Sequence, residues 1–408
     1  MNFSEINPLP RILMCPGPTD ADPRVLRAMS APILGQFDPQ FTGYMTETME
    51  MLRQVFQTKN QQTYVVDTTS RGGLETVLIG AIQPGDKVLI PAFGRFGYLL
   101  NEILERTGAE ITLLEREWGT VFEPEEIEAE LKKGGYKAVA CIHGETSTSM
   151  MQPLEEISKI CKKYDCLLIV DTVATLGGSD IKVDEWGIDA CIAGTQKCIS
   201  APSGSALITY NEKISNIVKA RKKVEKGIRS ASDVDGGLLP IQSNYLDMAQ
   251  LEDYWSPRRL NHHTEATSMQ YGVHEALRII LQEGLENRFA RHALNNDALC
   301  TGLQAMGLSI FGDLAHKMPG CTAINIPEGI SGPTLRGMML DEFGIELATS
   351  FGPLDGKIIR IGNMGYGSQK RNILLTLAAL EAVLVSQGVK INQGQGVQAA
   401  MEVYKNAK

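Results

Sequence analysis

The sequence predicts an α/β protein, with a large domain built on a mostly parallel central sheet and a smaller α+β domain after it. Three observations lead there. At 408 residues the chain is longer than one small core organises. From about residue 45 to 280, short apolar runs alternate with longer amphipathic ones, the pattern of parallel strands joined by helices that cover both sheet faces. A long helical stretch then precedes a second, shorter set of strand and helix patterns.

Taken in order, residues 1–20 hold Pro8, Pro10, Pro16 and Pro18. Proline lacks an amide proton and biases its predecessor away from helix, so an extended arm is expected. Strands are expected at Thr63–Val66, Lys87–Pro91, Glu110–Leu114, Ala138–Ile142, Leu167–Asp171, Ala190–Ala193 and Ala206–Thr209, with helices such as Leu154–Tyr164 between most of them. From Glu265 a single long helical pattern runs on towards Gly307 and is read as the link between domains. Three further strands follow at Thr322–Ile326, Ile345–Leu347 and Ile358–Ile361, with helices at Gly332–Glu342 and Lys370–Val385. The expected divisions are 1–20 as arm, 21–280 as large domain, 281–390 as small domain and 391–408 as a partly ordered polar tail.

The net charge of −9, with no Lys/Arg block, argues against a nucleic-acid surface. Any anion site must be local. The eight cysteines form no CxxC pair, and several sit in apolar runs, as free buried thiols of a reducing compartment do. No basic start with an apolar core opens the chain. The apolar stretch Ile373–Val385 is short and carries Glu381, which suits a packed helix rather than a membrane span. A cytoplasmic, membrane-free protein is expected. His262-His263 lacks a ligand set, so no metal is expected.

The chemistry concentrates at two strand ends. Leu167–Asp171 closes on a carboxylate, and Ala190-Cys191-Ile192-Ala193-Gly194-Thr195-Gln196-Lys197 reaches a lysine just past its strand. In a parallel sheet, ligands gather outside the carboxyl ends of strands. A lysine amine there can condense with the aldehyde of pyridoxal 5′-phosphate, while a carboxylate keeps the pyridine nitrogen protonated. The same residues also read as a helix cap and a surface lysine. Thr68-Thr69-Ser70-Arg71-Gly72-Gly73 follows the first strand and opens a helix, which suits a phosphate cradle or a plain N-cap. Arg360, alone in an apolar strand, suits either a substrate carboxylate or a snorkelling edge position.

Six segments together carry a resemblance. They are Pro16-Gly17-Pro18-Thr19, His143-Gly144-Glu145-Thr146-Ser147-Thr148, Val170-Asp171-Thr172-Val173-Ala174, Gly194-Thr195-Gln196-Lys197, His262-His263-Thr264 and Arg360-Ile361-Gly362. In this order the chain resembles class V aminotransferases of the alanine/serine–glyoxylate type, which are fold-type I pyridoxal-phosphate enzymes. The resemblance implies a homodimer with shared active sites, a small-molecule amino donor and glyoxylate as acceptor. It implies Lys197 as the cofactor-bearing, proton-moving residue and Asp171 as partner of the pyridine nitrogen. Phe96 falls at the stacking aromatic, where the family often has Trp, and Thr146 at the ring hydroxyl. Thr69, Ser70, Arg71 and Gln196 match the phosphate positions, completed by Thr264 of the other subunit. Arg360 matches the residue that receives the substrate carboxylate.

Two positions depart from the alanine-type members. Asn261 stands where they tend to have Tyr, and Gln36 where they have a small residue. This amide pair is similar to the ureidoglycine–glyoxylate branch of the family, whose reaction yields oxalurate and glycine in purine breakdown. A ureido group offers N–H donors and a carbonyl acceptor, and primary amides offer the complement. The alternatives are an alanine- or serine-glyoxylate aminotransferase, a cysteine desulfurase using Cys321, and a cofactor-binding regulator. Cys321 leads into an expected strand, which suits a structural thiol, and no extra DNA-binding domain is visible.

Overall fold

The computed structural model describes residues 3–407. The first strand of its central sheet, β1 (Gln62–Val66), leads into helix α1 (Ser70–Ala81). Strand β2 (Lys87–Ala92) leads into α2 (Arg95–Glu105). Then come β3 (Glu110–Glu115), β4 (Tyr136–Ile142), α3 (Glu155–Lys163), β5 (Leu167–Asp171), β6 (Ala190–Gly194) and β7 (Ala206–Tyr210). These seven strands form one sheet in the order β1-β7-β6-β5-β4-β2-β3. Pairs β2–β3, β2–β4, β4–β5 and β5–β6 are parallel, and only β7 runs against its neighbours. The sheet is mostly parallel, as the alternation predicts.

Strands β5, β6 and β7 are buried at every residue, because helices cover both faces. Their near-continuous apolar runs follow from that double burial. Helix α3 carries Glu155 and Glu156 in its first turn and Lys162 and Lys163 in its last, charges that complement the helix dipole.

The linker differs from expectation. Two helices, α4 (Thr267–Glu283) and α5 (Leu285–Ala305), replace the single long one. Gly284 between them has φ +82°, a left-handed conformation that other residues adopt at a cost. A second sheet follows, built from β8 (Cys321–Asn325), β10 (Ala348–Thr349) and β11 (Ile358–Gly362) in the order β8-β11-β10, with α6 (Gly332–Phe343) between β8 and β10. The short strand β9 (Ile345–Glu346) pairs instead with Ile12–Leu13, in parallel. The end of the N-terminal arm is thus tied to the second core, where Met14 is fully buried.

The tail departs most. After α7 (Lys370–Ser386), residues Gln395–Asn406 form an ordered helix, α8. Ala400 and Tyr404 are buried in the second core, and the Tyr404 hydroxyl donates to Asn295 Oδ1 on α5 at 2.6 Å. Most buried apolar residues fall into one large core around the central sheet and a second spanning Met14 and Ala298–Tyr404, with two small clusters around Cys321 and Ile358. No described helix is long and apolar enough to cross a membrane.

Candidate active site

A cavity of about 350 Å³ opens at the carboxyl ends of the central strands. Thr69, Ser70 and Arg71 reach it from the β1–α1 turn, Phe96 from the start of α2, Thr146 from the loop after β4, Asp171 from the tip of β5, and Gln196 and Lys197 from just beyond β6. The pairing register explains the convergence: Ile142 faces Asp171, and Asp171 faces Ile192. A larger cleft of about 880 Å³ lies by Glu283, Arg288, Arg291 and Tyr366. Its charges are already paired with one another and with backbone carbonyls. The reactive groups sit in the smaller cavity.

Lys197 is enclosed, and burial holds its amine below the usual lysine range. Nζ donates to the Pro16 carbonyl. Gly17 is required beside it, since a Cβ there would lie 2.3 Å from Nζ. Asp171 accepts from Val173 N at 2.8 Å, and burial pushes its carboxyl up to about 7. A carboxylate in this position favours a cationic partner.

Helix α1 starts at Ser70 with no side-chain cap, which leaves its first amides free for an anion. A Cβ on Gly73 would stand 2.4 Å from that of Ala206, so the helix packs tightly on β7. Gln196 Nε2 donates to Ser70 Oγ at 2.7 Å, while its buried Oε1 has no partner. Uncapped amides, a lysine in the cavity and a carboxylate without an ion pair match the phosphate, aldehyde and pyridine nitrogen of pyridoxal 5′-phosphate. That cofactor fits these residues.

Arg360 lies on β11, the central strand of its sheet, and is only 4% exposed, which removes the edge-strand alternative. Nε and Nη2 donate to Thr349 O at 2.9 and 2.5 Å, and Nη1 to Thr146 O at 2.8 Å. A guanidinium has five N–H donors. Two remain, one on each terminal nitrogen, a fork that suits a carboxylate; Arg360 does not itself line the cavity and adjoins it through Thr146.

Gln36, Asn261 and Thr264 do not line this cavity. They form a separate group, with Asn261 and Thr264 exposed. Gln36 Nε2 donates to Asn261 Oδ1 at 2.8 Å, and Gln36 Oε1 accepts from Glu265 N at 3.0 Å. Below them, His263, Asp67 and Glu265 bring potential ligand atoms within 4.8 Å of one another. Those carboxylates are already engaged: Asp67 Oδ2 accepts from Ala266 N at 2.7 Å, and Glu265 accepts from Tyr254 and Gln270, both at 2.5 Å. The cluster ties residues 261–266 to the foot of the β1–α1 turn.

Glu145 lies within the segment His143–Thr148 but has no role in the sequence-based expectation. Its fully buried carboxylate accepts from Phe96 N at 2.8 Å, Ser147 N at 2.9 Å and Ser147 Oγ at 2.6 Å. The signal is a lone acid in a segment otherwise made of His143, Gly, Ser and Thr. Cys321, by contrast, is fully buried in β8, and burial pushes its thiol up, away from nucleophilic use.

Comparison with known proteins agrees with this geometry. Residues 18–354 match the model of the aminotransferase class-V family. The chain is 58% identical over 399 residues to the (S)-ureidoglycine–glyoxylate transaminase of Bacillus subtilis (strain 168), covering 97% of this chain and 96% of that protein. It is 33% identical to the alanine–glyoxylate aminotransferase of Mus musculus, over 92% of this chain and 87% of the relative. Among solved structures, the Bacillus subtilis ureidoglycine–glyoxylate aminotransferase superposes with a TM-score of 0.94 at 55% identity, covering 99% of this chain and all of that one. An alanine–glyoxylate aminotransferase from Nostoc sp. gives 0.88 at 35% identity, over 94% and 98% of the two chains.

Proposed function

The chain belongs to the class-V aminotransferase family, and from that premise we propose that it transfers the amino group of (S)-ureidoglycine to glyoxylate, giving oxalurate and glycine. The reading places the enzyme in purine breakdown, in the cytoplasm. It rests on the relative that shares 58% of its residues and, within the chain, on one observation: the Gln36–Asn261 pair. With Gln36 Oε1 taken by Glu265 N and Asn261 Oδ1 by Gln36, the free groups are N–H donors, chiefly Asn261 Nδ2. They suit the carbonyl oxygen of a ureido group. Alanine offers them no acceptor beyond its carboxylate, so it leaves them unpaired.

Because Gln36, Asn261 and Thr264 stand apart from the cavity of their own chain, we assign them to the cavity of a second copy. The active unit is then a homodimer, with Thr264 near the partner's phosphate site and the amide pair over its substrate.

Bound pyridoxal phosphate supplies the electron sink for cleavage at the donor's α-carbon. The chain's own groups do the rest. Lys197 would hold the cofactor, Asp171 would keep a proton on its ring nitrogen, Phe96 and Thr146 would flank the ring, and Thr69, Ser70, Arg71 and Gln196 would take the phosphate. Burial favours the neutral amine of Lys197, so Nζ can take the proton from the donor's α-carbon and deliver one to the carbon that becomes glycine. Arg360 orients each substrate through its two free N–H groups.

A donor-by-acceptor rate matrix tests the reading, with ureidoglycine generated in situ. Wild type is expected to favour ureidoglycine over alanine and serine, and Asn261→Tyr to lose that preference by about tenfold or more. Robust alanine turnover without ureidoglycine turnover, or an unchanged preference in Asn261→Tyr, overturns it.

A further inference from the structure

The structure also points to a residue that meets the substrate before Arg360 does. Arg95 is exposed at the start of α2, next to Phe96. Its guanidinium carbon lies 4.3 Å from the centroid of the Phe351 ring and 5.4 Å from that of Phe96. The guanidinium of Arg360 lies 5.0 Å from the same Phe351 ring. One half-exposed aromatic thus has two cations against it, one exposed beside the cavity-lining Phe96 and one buried next to Thr146.

Among the described residues, neither guanidinium sits in an ion pair, and the Arg95 side chain makes no hydrogen bond. The buried Glu145 carboxylate acts on Arg360 through space, but it accepts its hydrogen bonds from Phe96 and Ser147 and forms no ion pair with either guanidinium. Two like charges held this close raise each other's energy, and an anion placed between them relieves both. The chain as a whole carries a charge of −9, so a small anion at a distance gains nothing from the net charge. A local cation beside Phe96 reverses that field where it matters.

We propose that Arg95 is a specificity-determining residue that captures the carboxylate of 2-oxo acids of the glyoxylate class and passes it, past Phe351, to Arg360. The inference deepens the functional reading above and rests on Arg360 as the carboxylate site.

Oxamate is a non-reacting probe with the same carboxylate next to a carbonyl carbon. Its binding to the holoenzyme is measured by calorimetry at low and high salt, alongside the rate at which glyoxylate reoxidises the aminated holoenzyme. Arg95→Gln is expected to weaken oxamate about fivefold at low salt and to flatten the salt dependence, while Arg95→Lys keeps most of both. The concentration of glyoxylate giving half-maximal rate rises in parallel, and the maximal rate changes by less than about twofold. Equal oxamate affinity and equal salt dependence in wild type and Arg95→Gln overturn the proposal. Arg360→Lys separates the two readings: if it leaves oxamate binding intact, the carboxylate site itself is misassigned. If it weakens oxamate and Arg95→Gln does not, only the role of Arg95 falls.

Discussion

Phe96 N donates to Glu145 Oε2 at 2.8 Å, so an aromatic that lines the cavity is held by a carboxylate from another segment. The same carboxylate fixes Ser147 through its amide and hydroxyl. It also packs within a Cβ's reach of Gly94, where any side chain would come within 2.3 Å. Glu145 is therefore a positioning residue for both the β2–α2 turn and the segment that carries Thr146.

Glu145→Gln tests that role. The amide replaces one acceptor oxygen with a donor, which then faces a backbone N–H or the Ser147 hydroxyl. A buried donor without an acceptor costs about 1–3 kcal/mol. The expected result is a lower Tm together with about tenfold weaker pyridoxal phosphate binding, as Phe96 shifts. Glu145→Asp keeps the charge but shortens the reach and recovers affinity only in part. A Glu145→Gln protein that matches wild type in both cofactor affinity and Tm rejects the role.

Asp171 makes stability depend on pH in the cofactor-free protein. Burial pushes its carboxyl to about 7, against 3.8 for an exposed aspartate. Between those values the folded chain holds a proton that the unfolded chain has released. Stability is therefore lost as pH rises from about 4 to about 7. Burial also pushes Glu265 up, but its neighbour Asp67 is held down beside His263, so that pair contributes in both directions. Asp171→Asn removes only the first contribution. The cofactor-free variant is expected to show a shallower fall in Tm between pH 5 and 8 and to be the more stable protein at pH 8. Its cofactor affinity and activity fall steeply, because a neutral amide does not hold the ring nitrogen protonated. Identical Tm slopes in variant and wild type contradict this account.

Much of this was legible in the sequence, for reasons that differ from element to element. The run Leu167–Asp171 is apolar up to a terminal acid, and it forms the strand expected, with the acid at the cavity. Lys197 follows β6 as read, since strand ends in a parallel sheet are set by local pattern. Gly284 was hidden because the helical periodicity continues on both sides of it, and only its positive φ breaks the axis. The α8 helix was masked by the Gln and Gly before it. Yet Val397, Ala400, Val403 and Tyr404 recur at helical spacing and all contact the second core. The position of Arg360 was undecidable from its own strand, because central or edge placement depends on which distant strands pair with it. Glu145 was missed because a buried carboxylate is recognised by its donors, and those come from residues 96 and 147.

Gly17 offers the sharpest test of how Lys197 is placed. Its φ is +118°, outside the range L side chains favour, and an added Cβ would stand 2.3, 2.5 and 2.6 Å from Nζ, Cε and Cδ of Lys197. The backbone strain alone costs about 1–2 kcal/mol. The steric conflict falls on a flexible side chain, so the fold survives Gly17→Ala while the amine is driven off its position. The expected protein is folded, with a modestly lower Tm. It lacks the visible absorbance of the lysine-bound cofactor and gives no borohydride-fixed adduct at Lys197. Free pyridoxal phosphate is still expected to bind weakly, since the uncapped amides at the start of α1 are untouched. A Gly17→Ala enzyme that keeps full cofactor colour and transaminates at the wild-type rate shows that the lysine has room the geometry denies it.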